Sequence, residues 1–235
     1  GAGERRLAGG LRSRRTLDPA PYVRLLQQID HSVPADQRGD LLCFFAGMSE
    51  ILKVADAMAE YARESRRWIV LLLHSTLSAE EQDKVFDPAP LGIRKAILST
   101  NIAETSVTID GVRFVADSGR EKQLRWDPAS GTRNLAEVWI SQASANQRKG
   151  RAGRTGPGTC YRMYQREDFD AMDRFPVPEV ARTPLDATLL QMKVLGLRDP
   201  RRFPFLTPPP PEHLDAALLQ LTLHGALEVG KEGEE

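Results

Sequence analysis

Short apolar runs alternate with amphipathic stretches between Asp40 and Tyr164. Continuous apolar runs are typical of strands buried on both faces, whereas apolar residues three and four positions apart indicate a helix with one buried face. The pattern predicts four buried strands, at Leu41–Ala46, Trp68–Leu73, Lys95–Ser99 and Val112–Ala116. It predicts helices between them at Met48–Ser65 and Ser78–Phe86, the latter with a Ser78–Glu81 capping box. This order predicts an α/β fold, with a mostly parallel sheet and helices on both faces.

The pattern changes after the fourth strand. Stretches at Gln123–Trp126 and Asn134–Trp139 flank the turn-forming residues 127–131, which predicts a protruding antiparallel β-hairpin over about residues 118–139. Further periodic segments predict a helix, a strand and two more helices, at Ser141–Gly150, Gly158–Tyr164, Leu185–Leu195 and His213–Leu223. Four prolines in a row, residues 208–211, fit neither a helix interior nor a central strand and predict an ordered connector.

These elements predict three parts of the chain. Residues 1–17 are rich in glycine and arginine and are predicted to be disordered. Residues 18–178 are predicted to form the α/β domain with its hairpin, and the proline-containing segment near residue 176 marks its end. Residues 179–235 are predicted to begin a second, mostly helical domain.

Composition narrows the class of protein. Lysine plus arginine and aspartate plus glutamate both number 32 among 235 residues, so RNA binding, if present, would use a local groove and not a global positive field. No apolar run reaches membrane-spanning length, and no metal site is predicted. The two cysteines, Cys43 and Cys160, have no CxxC partner, which predicts free thiols in a reducing compartment. An intracellular location, in the nucleus, the cytoplasm or both, is therefore expected.

The strongest chemical signal is an arginine- and glycine-rich segment at residues 147–158. Helical spacing places Gln147, Arg151 and Arg154 on neighbouring turns of one face. Arginine can bind two phosphate oxygens at once, and an arginine finger stabilises the charge that develops during phosphoryl transfer. The alternative reading of an isolated arginine pair is a solvated basic helix end, but the complete pattern with its glycines favours phosphate chemistry.

A second segment, residues 99–112, begins where a predicted parallel strand ends. Ligands of open α/β sheets bind at this end of the strands. Its serine, threonine and asparagine side chains could reach a phosphate, a ribose or water. An ordinary capped turn would have a similar composition, so this segment alone leaves both interpretations open.

Together these segments resemble the DEAH-type RNA helicases of superfamily 2. Residues 101–111 resemble motif V of that family, and residues 147–154, with their leading glutamine, resemble motif VI. Residues 44–51 resemble motif IV, and residues 73–77 resemble the motif after it. The resemblance covers residues 18–229 and implies that the α/β domain is a second RecA-like lobe and that the C-terminal part begins a winged-helix domain.

The resemblance also implies roles for individual residues. The implied catalytic residues are Gln147 and Arg151, at the γ-phosphate and the attacking water, and Arg154 as a second finger. The implied nucleotide contacts are a ring stacked on the base, a sensor of the nucleotide state and a ribose acceptor, at Phe86, Ser106 and Asp110 respectively. A buried position at a helix end is the alternative for Phe86. The implied contacts to the RNA backbone are Gly47, Ser49, Asn101 and Thr105, and the hairpin would separate or guide RNA.

The 235 residues contain neither a phosphate-binding GxxxxGK[ST] loop nor an Asp-Glu-Ala-His sequence. The chain is therefore expected to be inactive alone and to complete an ATP site with a first RecA-like lobe of the same polypeptide, which would hold Mg²⁺. Expected partners are that lobe, single-stranded RNA and activating or RNA-processing proteins, and no membrane. Two alternatives are a non-catalytic helicase-like scaffold that binds RNA or protein partners, and a DNA-directed helicase of the same superfamily.

Overall fold

The computed structural model describes residues 17–34, 36–105, 107–127, 130–154, 156–197 and 199–228. The predicted disordered segment lies outside these ranges except for Leu17, and so does Ser106. The strands are β1 (Asp40–Phe44), β2 (Trp68–Leu73), β3 (Arg94–Ser99), β4 (Val112–Asp117), β5 (Arg120–Asp127), β6 (Thr132–Trp139) and β7 (Thr159–Arg162). The α-helices are α1 (Ala20–Ser32), α2 (Met48–Ser65), α3 (Ala79–Asp83), α4 (Ile102–Thr105), α5 (Gln142–Gly150), α6 (Arg166–Ala171), α7 (Asp186–Val194) and α8 (Pro211–Leu223).

The chain divides into two compact units. The first contains the described residues up to Ser118 together with Gln147–Met163, and the second contains Gly119–Asn146 and the described residues from Tyr164 onward. The hairpin strands β5 and β6 thus group with the C-terminal helices by contact. The assignment of residues 18–178 and 179–235 to a RecA-like lobe and a winged-helix domain remains a prediction.

A five-stranded sheet forms the centre of the first unit, in the order β2-β3-β1-β4-β7. Every neighbouring pair is parallel. The predicted α/β fold class, a parallel sheet with helices on both faces, is confirmed. Because strands run in one direction, the residues that follow β1, β3 and β4 meet at one edge of the sheet, called here the carboxyl edge. The residues that precede these strands meet at the opposite, amino edge.

Alternate strand residues face two different apolar clusters, as a doubly covered sheet requires. Leu41, Cys43 and Leu98 pack with residues of α1 and α2 on one face. Leu42 and Ile97 pack on the other face with apolar residues near α3, within α4 and after α5, among them Val85, Ala103 and Ala152. Helices therefore cover both faces, and the segments that carry the candidate chemistry lie on the second one.

Both predicted helices between the first strands are present, one with the predicted bounds and one shorter. Helix α2 has the predicted bounds, and its apolar residues at three- and four-residue spacings are buried. Helix α3 is shorter than predicted and ends at Asp83, but both hydrogen bonds of the Ser78–Glu81 capping box are present. Since the helix stops three residues before Phe86, that residue lies in a loop.

Helix α1 adds an element that the strand pattern did not predict. Its apolar face is buried, and Asp30 near its end forms a buried ion pair with Arg94 of β3 at 2.7 Å. The same carboxylate accepts hydrogen bonds from the Tyr61 hydroxyl and the Trp68 indole, both at 2.9 Å. Burial, followed by the hydrogen bond to Asp30, raises the pKa of Tyr61 to about 12. One carboxylate thus links α1, α2, β2 and β3.

In the second unit, β5 and β6 form an antiparallel ladder from Arg120↔Trp139 to Asp127↔Thr132. The predicted hairpin is therefore present, with a first strand that begins three residues earlier than predicted. Trp126 stacks edge-on against His213, with ring centres 5.0 Å apart, and its backbone N–H donates to the Arg182 carbonyl. An apolar cluster between α7 and α8 includes Leu189 and Leu221.

Both cysteines are free thiols. Cys43 is buried and Cys160 is half-buried, and burial raises the pKa of the Cys160 thiol to about 11. Neither thiol therefore has the lowered pKa that a nucleophilic cysteine requires. Within the described part of the chain, no helix combines the length and the apolar character needed to cross a membrane.

Candidate nucleotide and RNA site

The four predicted RNA-binding residues lie after two adjacent strands, β1 and β3, at the carboxyl edge. The backbone N–H of Phe45 donates to the Ser99 carbonyl at 2.8 Å, which joins the two strand ends. Ser49, Asn101 and Thr105 are exposed there. Gly47, the residue that precedes α2, is buried and extended. Because glycine has no side chain, it could contact RNA only through its backbone. The fold thus places all four residues at one edge of the sheet, and their contact with RNA remains a proposal.

The predicted nucleotide contacts lie elsewhere. Phe86 precedes β3 and is 45% exposed, and the exposed Asp110 lies in the turn before β4. The segment from Asn101 to Asp110 begins at the carboxyl edge with α4 and returns to the amino edge. Only the first half of residues 99–112 therefore lies at the ends of the strands where ligands of open α/β sheets bind. The exposure of Phe86 disfavours the alternative of a buried core position.

The arginine segment packs against this returning chain. Helix α5 ends at Gly150, and residues Arg151–Gly153 form a 3₁₀ turn. Because residues three apart eclipse each other in a 3₁₀ turn, Arg151 and Arg154 keep to the same side. Arg151 donates through one Nη to the Val107 carbonyl at 2.8 Å and through the other to the Glu104 carbonyl. Arg154 donates to the Thr108 hydroxyl, and Gln147 is exposed on α5.

The two arginines line a small depression whose other walls are apolar, namely Leu42, Ala103, Val107, Ile109 and Val112. Burial in these surroundings lowers the pKa of Arg151, the charge of Arg154 lowers it further, and Glu104 opposes both effects. Arginine remains charged despite such a shift, since its ordinary pKa lies so far above neutrality. A cation beside a second cation in partly apolar surroundings is suited to attract an anion such as a phosphate.

Arg148 has a different role from the other two arginines of the segment. Its side chain is fully buried, and it pairs through Nε with Glu104 at 3.0 Å and through Nη1 with Asp117 at 2.9 Å. Its guanidinium also lies over the Phe44 ring, 4.9 Å from the ring centre. Arg148 therefore ties the arginine segment to α4 and to the ends of β1 and β4. The sequence reasoning assigned no role to it.

Gly158 holds the 3₁₀ turn close to the sheet. A Cβ atom at this position would overlap the Ala152 carbonyl and would lie 2.6 Å from the Arg113 carbonyl oxygen. At Gly150 and Gly153 a Cβ atom would meet no atom of the described residues within 4 Å. Close backbone approach therefore explains Gly158 and does not explain the two glycines between the arginines.

Replacing Gly158 with alanine is expected to lower the free energy of unfolding by about 1–3 kcal/mol, because backbone atoms must move to admit the methyl group. Gly153→Ala is the matched control, and we expect its effect to stay within about 0.5 kcal/mol. Urea denaturation of the two variants measures the difference. Equal stabilities would contradict the close approach of residues 152 and 158.

Two further charged residues escaped the sequence reasoning, namely Asp40 and Lys95, which are 2% exposed at the amino edge. The sequence contained an indication that both residues are buried and paired. Both flank continuous apolar runs that were predicted as buried strands, and a charged residue in such a position is seldom fully buried without a partner.

Residues 23–156, more than half of the chain, match the family described as the helicase conserved C-terminal domain. The chain belongs to this family. It is 58% identical over 212 residues to the mouse and human proteins named "Probable ATP-dependent RNA helicase DHX34", which covers 90% of this chain and 18% of each relative. It is 42% identical over 195 residues to the Schizosaccharomyces pombe "Pre-mRNA-splicing factor ATP-dependent RNA helicase prp22", covering 81% of this chain and 17% of that protein.

The fold is similar to the crystal structure of the Escherichia coli DExH-box NTPase HrpB, with a TM-score of 0.78 and 34% identity. That match covers 92% of this chain and 26% of the HrpB chain. The resemblance to DEAH helicases seen in the motifs is thus confirmed. The chain spans about a fifth of the length of the curated relatives that it matches.

Proposed function

We propose that this chain is the C-terminal motor lobe of an ATP-dependent RNA helicase and supplies arginine fingers to an ATP site completed by a first RecA-like lobe. The main support is the path of residues 101–110. Its first residues belong to the proposed RNA-binding edge and its last, Asp110, to the proposed nucleotide contacts. Arg151 and Arg154 bind its middle through Glu104, Val107 and Thr108.

The arginine contacts support a finger role because they orient the guanidinium groups in advance. An arginine carries five N–H groups, and the two contacts of Arg151 use one on each terminal nitrogen. The remaining N–H groups could donate to phosphate oxygens. A preorganised cation stabilises developing charge without a cost of reorganisation at the moment of reaction. Gln147, one turn earlier, would orient the attacking water.

The same path offers a physical connection between ATP and RNA. ATP held between two lobes would draw them together, and hydrolysis would loosen that contact. If Arg151 and Arg154 moved, the residues that they contact would move with them. The short covalent connection from those residues would carry the displacement to Asn101 and Thr105. Mg²⁺ would be bound by the first lobe, and the RNA contacts would be made mainly with the backbone, without strong sequence preference.

ATP hydrolysis by the full-length protein that carries this chain tests the proposal. We expect single-stranded homopolymer RNA to stimulate hydrolysis and DNA of the same length to stimulate it far less. Equal stimulation by DNA would favour a DNA-directed helicase. No hydrolysis with either polymer, combined with retained RNA or protein binding, would favour the non-catalytic scaffold and contradict the motor function.

A further inference from the structure

Lys95 is buried directly beside the loop that contains Phe86. Its side chain is 3% exposed, and its Nζ donates to the Val85 carbonyl at 2.6 Å and to the Asp87 carbonyl at 2.9 Å. These two carbonyls belong to the residues on either side of Phe86, which is 45% exposed. A single ammonium group therefore fixes the backbone before and after the exposed ring.

Holding a loop with a buried ammonium group carries a large free-energy cost of desolvation. Burial lowers the pKa of Lys95, as the loss of hydration of a cation requires. Asp40 partly compensates, since its Oδ2 lies 4.0 Å from Nζ and its Oδ1 accepts the backbone N–H of Lys95 at 2.8 Å. Buried ion pairs seldom stabilise a fold more than apolar residues of the same volume would. This pair is therefore more readily explained by the geometry it imposes than by stability.

Asp40, the partner of Lys95 in the ion pair, also contacts the turn that contains Asp110. The backbone N–H of Asp40 donates to the Gly111 carbonyl at 3.1 Å. Gly111 has a φ of +87°, and a Cβ atom there would lie 3.0 Å from Oδ2 of Asp40. The Asp110 carboxylate is close enough to Lys95 to oppose the lowering of its pKa. The pair thus lies between the loop of Phe86 and the turn of Asp110.

We propose that Lys95 and Asp40 are positioning residues for the nucleoside part of ATP: Lys95 sets the position of the Phe86 ring for the base, and Asp40 sets the Asp110 turn for the ribose. This inference rests on the proposed function, because it assumes that Phe86 and Asp110 contact ATP. Neither Lys95 nor Asp40 is expected to touch the phosphates. Their loss should therefore weaken nucleotide binding equally in the ground state and the transition state.

The test uses the full-length protein with Lys95→Met, which keeps an unbranched side chain of similar length and removes its charge and donors. We expect KM for ATP to rise about tenfold while kcat stays within about twofold, as for the loss of uniform binding. Lys84→Met is the matched control, because Lys84 is an exposed lysine at the end of the neighbouring helix α3. It should leave both constants unchanged.

A second measurement separates positioning from a general structural role. With inorganic tripolyphosphate, which has neither base nor ribose, Lys95→Met and the wild type should have the same inhibition constant against ATP hydrolysis. In a double-mutant cycle with Phe86→Ala, the tenfold effect of Lys95→Met on KM should largely disappear. If Lys95→Met does not fold, Asp40→Asn, which removes the charge beside Nζ of Lys95, is measured in the same way, again with Phe86→Ala.

Three results would overturn the inference. They are an unchanged KM in a folded Lys95→Met variant, whether or not kcat falls; an equal loss of affinity for tripolyphosphate; and effects of Lys95→Met and Phe86→Ala that multiply fully. These outcomes are distinct from failure of the proposed function, in which the wild-type protein itself would not hydrolyse ATP.

Discussion

Replacing Arg151 or Arg154 with alanine in the full-length protein is expected to lower kcat for RNA-stimulated ATP hydrolysis by at least about a hundredfold, since arginine fingers contribute about 10³–10⁵ in rate. Both guanidinium groups are oriented by contacts with residues 104–108, so the loss removes a positioned charge. Arg151→Lys should recover little of the rate, because lysine keeps the charge and loses the planar fork. Steady-state kinetics at saturating RNA measures the effect.

Lys149→Ala serves as the control for this pair of variants. Lys149 is an exposed basic residue between Arg148 and Arg151, so its removal changes the local charge by the same amount. We expect it to hydrolyse ATP almost as fast as the wild type. Near-normal ATP hydrolysis by both arginine variants would show that neither residue is a finger.

Replacing Arg148 with methionine is expected to destabilise the chain by about 3–5 kcal/mol, since removal of one partner leaves the other buried charges uncompensated. The carboxylates of Glu104 and Asp117, which are 9% and 0% exposed, would both lose their cation. Urea denaturation measures the loss.

A surface pair provides the comparison for Arg148. Arg166 and Asp170 are one helical turn apart on α6, 3.8 Å from each other and largely exposed, so Arg166→Ala should change stability little. Adding Glu104→Gln and Asp117→Asn to Arg148→Met should restore part of the lost stability, because neutral amides are less costly to bury. An Arg148 variant as stable as the Arg166 variant would contradict the buried network.

Most of the elements of the first unit could be predicted from the sequence. Helix α2 and strand β2 have the predicted bounds, and the predicted capping box of α3 is present. These features depend on residues close together in the chain, where periodicity and capping chemistry act directly. Helix α1 was missed although its buried residues have helical spacing. Its ion pair with β3 joins Asp30 and Arg94, 64 positions apart, and has no local signal in the sequence.

The candidate site was predictable in its residue types and much less in its arrangement. The motif resemblance singled out Arg151, Arg154 and the segment that they contact. It did not indicate that Phe86 and Asp110 lie at the opposite edge of the sheet from Asn101. That separation follows from the parallel pairing of the sheet, because the chain between β3 and β4 must return from the carboxyl edge to the amino edge. The predicted parallel sheet implies this return, but it does not imply the contacts of Arg151 and Arg154 with the returning chain.

The sequence by itself determined the alternation of strands and helices, the parallel sheet and the helicase family, because each depends on local periodicity or on short motifs. Only the tertiary structure decided which arginine of the segment is buried and which two lie beside the returning chain. It also brought Lys95 and Asp40 together between the loop of Phe86 and the turn of Asp110. The physical reason is the same in each case, since burial and pairing of a charge depend on elements that are distant in sequence and adjacent only after folding.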